Sequence, residues 1–161
     1  MKKYVSKKVS DTQKIAKVWV EGIITARGEV QPGKDSAYVI GLSGHLGAGK
    51  TAYVKCVAKE FGITSEVTSP TYVIMKIYDT NNSIFHRIVH IDAYRLEKRE
   101  ELGAIRFENI VADQHNLVLI EWPENVGLKD EYPTISFHID EKNSERVIEF
   151  SDDNSDSVSS R

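Results

Sequence analysis

The chain has 161 residues, a formal net charge of −3 at pH 7 and a pI of about 6.0. This length suits one hydrophobic core and is short for two domains. With 40% hydrophobic and 28% charged residues, the composition is typical of a soluble globular protein. The slight negative charge argues against broad electrostatic binding of nucleic acid, which needs clustered Lys and Arg.

The N-terminal segment and the cysteine content of the sequence indicate the cellular compartment. The N-terminal "MKKYVSKK" is basic, but the apolar run of a secretory signal does not follow it, and no segment approaches membrane-spanning length. Cys56 is the only cysteine, which excludes a disulfide within the chain and favours a reducing compartment. We therefore expect one cytoplasmic domain over residues 1–150 and an acidic, serine-rich, disordered tail over 151–161.

The first half of the chain reads as helix, loop, strand and helix. Apolar spacing predicts an amphipathic helix over 11–24, and two glycines with a proline predict an exposed loop over 26–36. The apolar run 37–44 predicts a buried strand. Apolar positions at i, i+3, i+4 and i+7 then predict a helix over 50–61, which Gly62 ends.

The second half supplies most of the predicted sheet. Segments 71–78 and 84–91 flank the turn-rich "DTNNS" and predict an antiparallel hairpin. The continuous apolar run 116–122 predicts a central strand covered on both faces. Two short helices and two more strands are predicted at 97–105, 107–113, 133–139 and 145–150. The sequence therefore predicts an α/β domain with a mixed parallel and antiparallel sheet flanked by helices.

One short stretch carries a recognisable chemistry. Residues 43–53, "SGHLGAGKTAY", contain the pattern G-x-x-x-x-G-K-[ST] between Gly44 and Thr51, with a predicted strand before it and a predicted helix after it. The glycines let successive N–H groups converge on phosphate oxygens, and the helix start adds its positive dipole end. Lys50 is expected to reach the β- and γ-phosphates, and the Thr51 hydroxyl to ligate Mg²⁺. We therefore predict a nucleoside triphosphate site.

A site of this kind also needs a carboxylate at the end of a neighbouring strand to hold the magnesium ion. Glu121 ends the apolar segment "LVLIE", and Asp92 ends "RIVHID". We favour Glu121 on the magnesium side and Asp92 as a second catalytic or positioning carboxylate. Each has a structural alternative, since Glu121 could cap a loop and Asp92 could pair with Arg95. His90 is expected to hydrogen-bond near Asp92 or Tyr94.

Several motifs together resemble one family. The segments are "GHLGAGKT" (44–51), "VTSPTY" (67–72), "HIDAYRL" (90–96), "EELGA" (100–104) and "LIEWPE" (119–124). Their order and spacing are similar to those of the TsaE (YjeE) family, bacterial P-loop ATPases needed to make threonylcarbamoyladenosine in tRNA. The resemblance covers roughly residues 10–126. The family usually has an acidic residue at the position of His45.

The resemblance implies a compact P-loop ATPase domain that binds ATP or ADP with Mg²⁺. Its nucleotide-binding residues would be Ser10, Thr12, Leu46, Gly47, Ala48, Gly49, Lys50, Thr51 and Trp122, with Ser10 and Thr12 in the segment that approaches the adenine. Thr51 and Glu121 would be the metal ligands. Lys50, Asp92 and Glu121 would be catalytic, with Asp92 near the reacting water.

The resemblance also implies a moving loop and protein partners. Thr68, Ser69, Pro70 and Thr71 would form a switch-like loop facing the γ-phosphate. The protein would act with the TsaB–TsaD pair, whose TsaD member transfers the threonylcarbamoyl group, and it would meet tRNA only through that complex. ATP hydrolysis would reset the complex between turnovers, slowly in the isolated protein and faster with the partners.

Two other functions remain open on the residues alone. A small-molecule kinase shares the phosphate loop, but it usually closes an arginine-rich lid, and the arginines that follow this loop are scattered in sequence. A nucleotide-regulated binding module without hydrolysis would use the same Lys50, Thr51 and Glu121. A GTPase is disfavoured, since the sequence contains no guanine-reading N-K-x-D segment.

Overall fold

The structure is a computed structural model that describes residues 1–28 and 35–151. Its strands are β1 (Lys2–Ser6), β2 (Tyr38–Gly44), β3 (Met75–Asp79), β4 (Arg87–Asp92), β5 (Asn116–Glu121), β6 (Thr134–Ile139) and β7 (Arg146–Phe150). Its helices are α1 (Val9–Gly28), α2 (Lys50–Glu60) and α3 (Phe107–Ala112), with 3-10 helices at Arg99–Ile105 and Pro123–Val126. In this described part of the chain, no helix has the length and apolar character needed to cross a membrane.

Over the described residues, the strands form a single sheet in the order β1-β7-β6-β2-β5-β4-β3. The four central strands β6, β2, β5 and β4 run parallel, while β1, β7 and β3 pair antiparallel with their neighbours. The mixed sheet flanked by helices confirms the predicted fold class. Parallel strands end at the same edge, which is where ligands collect in open α/β sheets. In register, Glu121 lies beside both Leu42 and Asp92.

Strand β5 divides the core into two layers. All six of its residues are buried, and successive side chains of a strand point to opposite faces. Leu117 and Leu119 pack with α1 and α2, whereas Val118 and Ile120 pack with α3 and the 3-10 helices on the other face. This explains why the segment is continuously apolar, as expected of a strand covered on both sides.

Shortening a buried side chain of the central strand β5 should lower the stability of the fold. Leu119 is 0% exposed, so Leu119→Ala is expected to lower the free energy of unfolding by about 2–5 kcal/mol, through lost apolar burial and the cavity left behind. Urea denaturation measures this loss. The control is Val18→Ala at an exposed position of α1, expected to change the free energy by about 0.5 kcal/mol or less. Equal effects of the two substitutions would contradict the assigned core.

The structure adds one strand to the predicted elements and changes the bounds of several others. Strand β1 was not predicted, and α1 extends beyond 11–24 at both ends, so the predicted loop 26–36 overlaps the helix; residues 29–34 lie outside the described residues. The predicted strand 71–78 begins only at Met75, because the N–H groups of Val73 and Ile74 both donate to the Pro70 carbonyl in a turn. The predicted hairpin is confirmed as the antiparallel pair β3–β4. Residues 152–161 of the predicted tail lie outside the described residues.

Candidate functional site

The phosphate-loop residues 44–49 connect the end of β2 to the start of α2. Gly44 has φ +149°, and a Cβ atom there would lie 2.4 Å from the carbonyl oxygen of Phe137. Gly49, directly before α2, has φ +110° in the left-handed region. Both positions therefore require glycine, one for a close backbone approach and both for conformation. The resulting turn directs the N-terminus of α2, with its free N–H groups, toward the edge of the sheet.

The close approach at Gly44 gives a testable cost. Gly44→Ala is expected to destabilise the fold by about 1–3 kcal/mol from backbone strain alone, with a further loss because the Phe137 carbonyl cannot remain in place. Thermal or urea unfolding measures the sum. Gly22→Ala is the matched control, because the residue sits in α1 and, among the described residues, no atom beyond its chain neighbours and the helix's own backbone lies within 4 Å of the added Cβ. A stable Gly44→Ala variant would contradict the loop geometry.

The side chain of Lys50 is held inside this turn. Its Nζ donates hydrogen bonds to the carbonyl oxygens of Gly44 and His45, the latter at 3.0 Å. It also lies 4.2 Å from the centroid of the Trp122 ring, a cation–π geometry. Trp122 itself has φ +60°, uncommon for a bulky residue, and its backbone N–H donates to the Leu42 carbonyl at 3.1 Å. The backbone after β5 is thus bent so that the indole covers the lysine.

Charge and burial act on Lys50 in opposite directions. Burial lowers the pKa of the Lys50 ammonium from its ordinary value, and the nearby carboxylates of Glu121, Glu124 and Asp92 oppose that shift. A cation at this position is therefore surrounded by negative groups, with only 4% of the residue exposed. Such a group is suited to gain strongly from an incoming polyanion, because interactions between charges strengthen away from bulk water.

The carboxylate of Glu121 gathers two partners from different elements. Its Oε1 accepts a hydrogen bond from the Thr51 hydroxyl at 2.8 Å and lies 2.8 Å from His90 Nε2. The threonine comes from the first turn of α2, and the histidine from the neighbouring strand β4. The glutamate is 3% exposed. The two predicted metal ligands, Thr51 and Glu121, are therefore brought into direct contact.

Asp92 is the second buried carboxylate at this edge, and it is tied to the predicted switch loop. Its Oδ2 accepts hydrogen bonds from Ser69 Oγ at 3.1 Å and from Thr71 Oγ1 at 2.6 Å. Its Oδ1 accepts from the backbone N–H of Tyr94 at 2.9 Å. The alternative in which Asp92 pairs with Arg95 is not what forms, since the Arg95 guanidinium lies 4.5 Å from the centroid of the exposed Tyr72 ring.

These groups surround one cavity of about 310 Å³. Among the predicted site residues, its lining contains Leu46, Gly47, Gly49, Lys50, Thr51, Ser69, Thr71, Asp92, Glu121 and Trp122. The structure thus brings together the phosphate loop, both carboxylates, the hydroxyl groups of the switch loop and the tryptophan. A cavity of this size that combines a buried cation, carboxylates and backbone N–H donors is suited to a phosphorylated ligand with its divalent cation.

Two residues predicted on the adenine side lie outside that lining. Ser10 is exposed on the first turn of α1. Thr12 is buried, and its hydroxyl lies 2.7 Å from Ser6 Oγ, where either oxygen can be the donor. Their role toward adenine stays a prediction.

Three other predicted residues, Ala48, Thr68 and Pro70, are also not among the lining residues. Ala48 is buried within the loop. The Thr68 hydroxyl accepts a hydrogen bond from Lys76, and the Pro70 carbonyl accepts the turn N–H groups that precede β3. These residues shape the loop backbone, and their predicted contacts with a nucleotide remain predictions.

Sequence reasoning missed the link between His90 and Glu121. The expectation that His90 hydrogen-bonds near Asp92 or Tyr94 is wrong, because its Nε2 is next to Glu121. The shared face of His90 and Asp92 in β4 was readable from the sequence, but the partner Glu121 comes from β5 and is brought near only by the pairing of β4 with β5. Tyr94 was also missed as a lining residue; its ring lies 5.2 Å from that of Trp122.

Comparison with known proteins places this geometry in a family. Residues 6–148 match the family model described as "Threonylcarbamoyl adenosine biosynthesis protein TsaE". The chain belongs to the TsaE family. The resemblance found from the motifs is thereby confirmed, and the matched segment contains every predicted site residue.

Individual relatives agree with membership in the TsaE family. A Borreliella burgdorferi protein named "tRNA threonylcarbamoyladenosine biosynthesis protein TsaE" is 39% identical over 111 residues, covering 67% of this chain and 77% of its own. A Rickettsia typhi protein of the same name is 39% identical over 87 residues, covering 53% of this chain and 57% of its own. The crystal structure of Bacillus subtilis YdiB aligns with a TM-score of 0.64 and 26% identity, over 92% of this chain and 83% of that one.

Proposed function

We propose that this protein is the ATP-hydrolysing component of tRNA threonylcarbamoyladenosine biosynthesis and that it acts with the TsaB–TsaD pair. The observation that carries the proposal is the convergence of Lys50, Thr51, Asp92 and Glu121 in one cavity at the phosphate loop. Relatives over much of the chain are named for the same biosynthesis. The proposal includes a single domain over 1–150 and a tail over 151–161. It also includes a cytoplasmic location, which the buried free thiol of Cys56 favours.

The phosphate loop would hold the end of the nucleotide. The N–H groups at the start of α2 point out of the helix and can donate to phosphate oxygens. Lys50 Nζ now donates to two carbonyl oxygens of the loop, and it has a third N–H that an ammonium can donate. A phosphate oxygen would complete or replace these contacts. Trp122, stacked over the same ammonium, would limit how far Lys50 moves.

Thr51 and Glu121 fit the requirements of a magnesium site. Mg²⁺ prefers hard oxygen ligands and is usually bound by one or two protein groups together with substrate phosphates. The described residues contain no cluster of three or more His, Cys, Asp or Glu side chains that could hold a metal by themselves, so the site suits a cation that arrives with a nucleotide. Such an ion would neutralise charge on the β- and γ-phosphates.

We assign to Asp92 the orientation of the attacking water. In hydrolysis, the water oxygen bonds to the γ-phosphorus as the bond to the ADP oxygen breaks, and the water proton ends on the phosphate product. Asp92 could accept a hydrogen bond from that water, but Ser69 and Thr71 already donate to its Oδ2. A shift of the 68–71 loop would release this oxygen, which connects the predicted switch to the chemistry.

The distribution of cations supports slow intrinsic turnover and disfavours a kinase. Within the described part of the chain, Lys50 is the one Lys or Arg in the cavity lining. Arg87 is 3.8 Å from both Asp79 and Asp113, and Arg99 pairs with Glu131. Among the described residues, no arginine lines the cavity, so help in stabilising transition-state charge would have to come from a partner or from an arginine such as Arg95 that moves toward the site.

Reconstitution tests this proposal. Purified TsaB–TsaD, tRNA and the remaining substrates of the modification are combined with ATP, with and without this protein, and both modified tRNA and released phosphate are measured. We expect repeated turnover only when the protein is present, and faster phosphate release with the partners than without them. Unchanged modification in its absence would overturn the assigned pathway. Transfer of labelled phosphate to a small acceptor would favour the kinase alternative.

A further inference from the structure

His90 is a fully buried polar residue at the edge of the site. It is 0% exposed, and its Nε2 lies 2.8 Å from Glu121 Oε1. That same oxygen accepts the hydrogen bond of Thr51 at 2.8 Å. One carboxylate oxygen is therefore held from two sides, by a residue of α2 and by a residue of β4.

The chemistry of the pair fixes the direction of this contact. An ionised carboxylate only accepts hydrogen bonds, so His90 Nε2 carries the proton and donates to Glu121. The other ring nitrogen, Nδ1, is buried and has no hydrogen-bond partner among residues 1–28 and 35–151. An unsatisfied buried polar atom costs free energy, and an apolar side chain at this position would avoid that cost. Packing alone therefore does not account for a histidine here. Its one productive polar contact is directed at Glu121.

The strand register determines where this contact forms. His90 and Asp92 project from the same face of β4, and Asp92 is paired in register with Glu121 at the end of β5. The imidazole therefore approaches Glu121 from one strand away, deeper in the sheet than Asp92. The contacts of Glu121 Oε1 with His90 and Thr51 therefore hold the carboxylate from two sides.

We propose that His90 is a positioning residue that orients the Glu121 carboxylate for the divalent cation bound with the nucleotide. The inference rests on the proposed function, because it assigns a role within the same site. His90 is not among the residues that line the cavity, so it would act on the cation through Glu121. Hydrogen-bond partners of this kind commonly change metal affinity by about 10–100-fold when they are removed.

Mn²⁺ serves as the probe, because its electron paramagnetic resonance signal reports the free ion during titration. The full chain is titrated in the presence of ADP. We expect His90→Leu to weaken Mn²⁺ binding about 10–100-fold. His90→Gln is expected to stay within about threefold of the parent, because its amide nitrogen can donate from nearly the position of Nε2. ADP binding in EDTA is expected to be unchanged in both variants.

Val89→Ala is the matched control. Val89 is buried in the same strand on the opposite face, so its truncation should lower stability in urea without changing Mn²⁺ affinity. Parental Mn²⁺ affinity in His90→Leu would overturn the inference, as would equal losses in the Leu and Gln variants or an equal loss in Val89→Ala.

A second comparison covers the case in which His90→Leu does not fold. His90→Asn places its amide nitrogen near the position of Nδ1, so it should bind Mn²⁺ more weakly than His90→Gln; equal affinity would contradict the role. A parent protein that binds neither ADP nor Mn²⁺–ADP would instead overturn the proposed function, and this inference with it.

Discussion

Lys50→Ala is expected to abolish the thermal stabilisation that ATP or ADP gives to the protein. A ligand at one hundred times its dissociation constant stabilises a fold by about 2.7 kcal/mol, and this gain should fall close to zero. The reason is that Lys50 is the buried cation of the cavity, surrounded by carboxylates that would otherwise repel a polyanion. Differential scanning fluorimetry with and without nucleotide measures the effect, and ATP hydrolysis should be lost in parallel.

The comparison must be made on the nucleotide-dependent difference. Removing Lys50 also leaves the carbonyl oxygens of Gly44 and His45 without its hydrogen bonds, which can cost about 1–3 kcal/mol in the absence of ligand. Lys55→Ala, at an exposed position of the same helix, is the control and should keep the full nucleotide shift. A Lys50→Ala protein with an undiminished shift would place the nucleotide elsewhere.

The predictable part of this site lies in short sequence segments. The phosphate loop needs glycines at fixed spacing between a strand and a helix, so Gly44 and Lys50 identify it locally. The continuous apolar run of β5 likewise predicts a strand covered on both faces, and its last residue, Glu121, follows as a candidate ligand. In each case, neighbours in sequence determine the conformation, and the sequence pattern therefore predicts it.

What was missed depends on contacts between distant segments. Strand β1 forms by antiparallel pairing with β7, where Lys3 also lies 3.0 Å from Glu149, and nothing in its own composition requires a strand. The His90–Glu121 contact joins residues of two strands that become neighbours only in the folded sheet. Tertiary pairing decides such features, and local propensity does not.

The sheet order explains how the residues of the site come together at one edge of the sheet. Because β2, β5 and β4 are adjacent and parallel, the phosphate loop, Glu121 and Asp92 all follow from strand ends at one edge. The contacts at the two carboxylates differ in kind. Glu121 is fixed by partners from α2 and β4, whereas Asp92 is bound by hydroxyl groups of a loop. The first arrangement suits static coordination of a cation, and the second suits a group whose availability changes.

That difference leads to the prediction for Asp92. Asp92→Ala is expected to leave nucleotide binding within a few-fold of the parent and to slow ATP hydrolysis by about 10²–10⁴-fold, the usual contribution of a general base or water-orienting group. Binding is spared because Asp92 is not part of the phosphate loop and a negative charge there does not attract a nucleotide. Phosphate release with the TsaB–TsaD partners present, and ADP affinity by titration, measure the two quantities separately.

A control must separate the lost carboxylate from a loosened loop, because Asp92→Ala also removes the acceptor of Ser69 and Thr71. The double variant Ser69→Ala with Thr71→Val frees the loop while keeping Asp92, so it should turn over far faster than Asp92→Ala. Asp79→Ala, at an exposed carboxylate on the edge strand β3, should behave like the parent. If Asp92→Ala hydrolysed ATP at the parental rate, Asp92 would be a loop anchor only, and the attacking water would have to be oriented by another group.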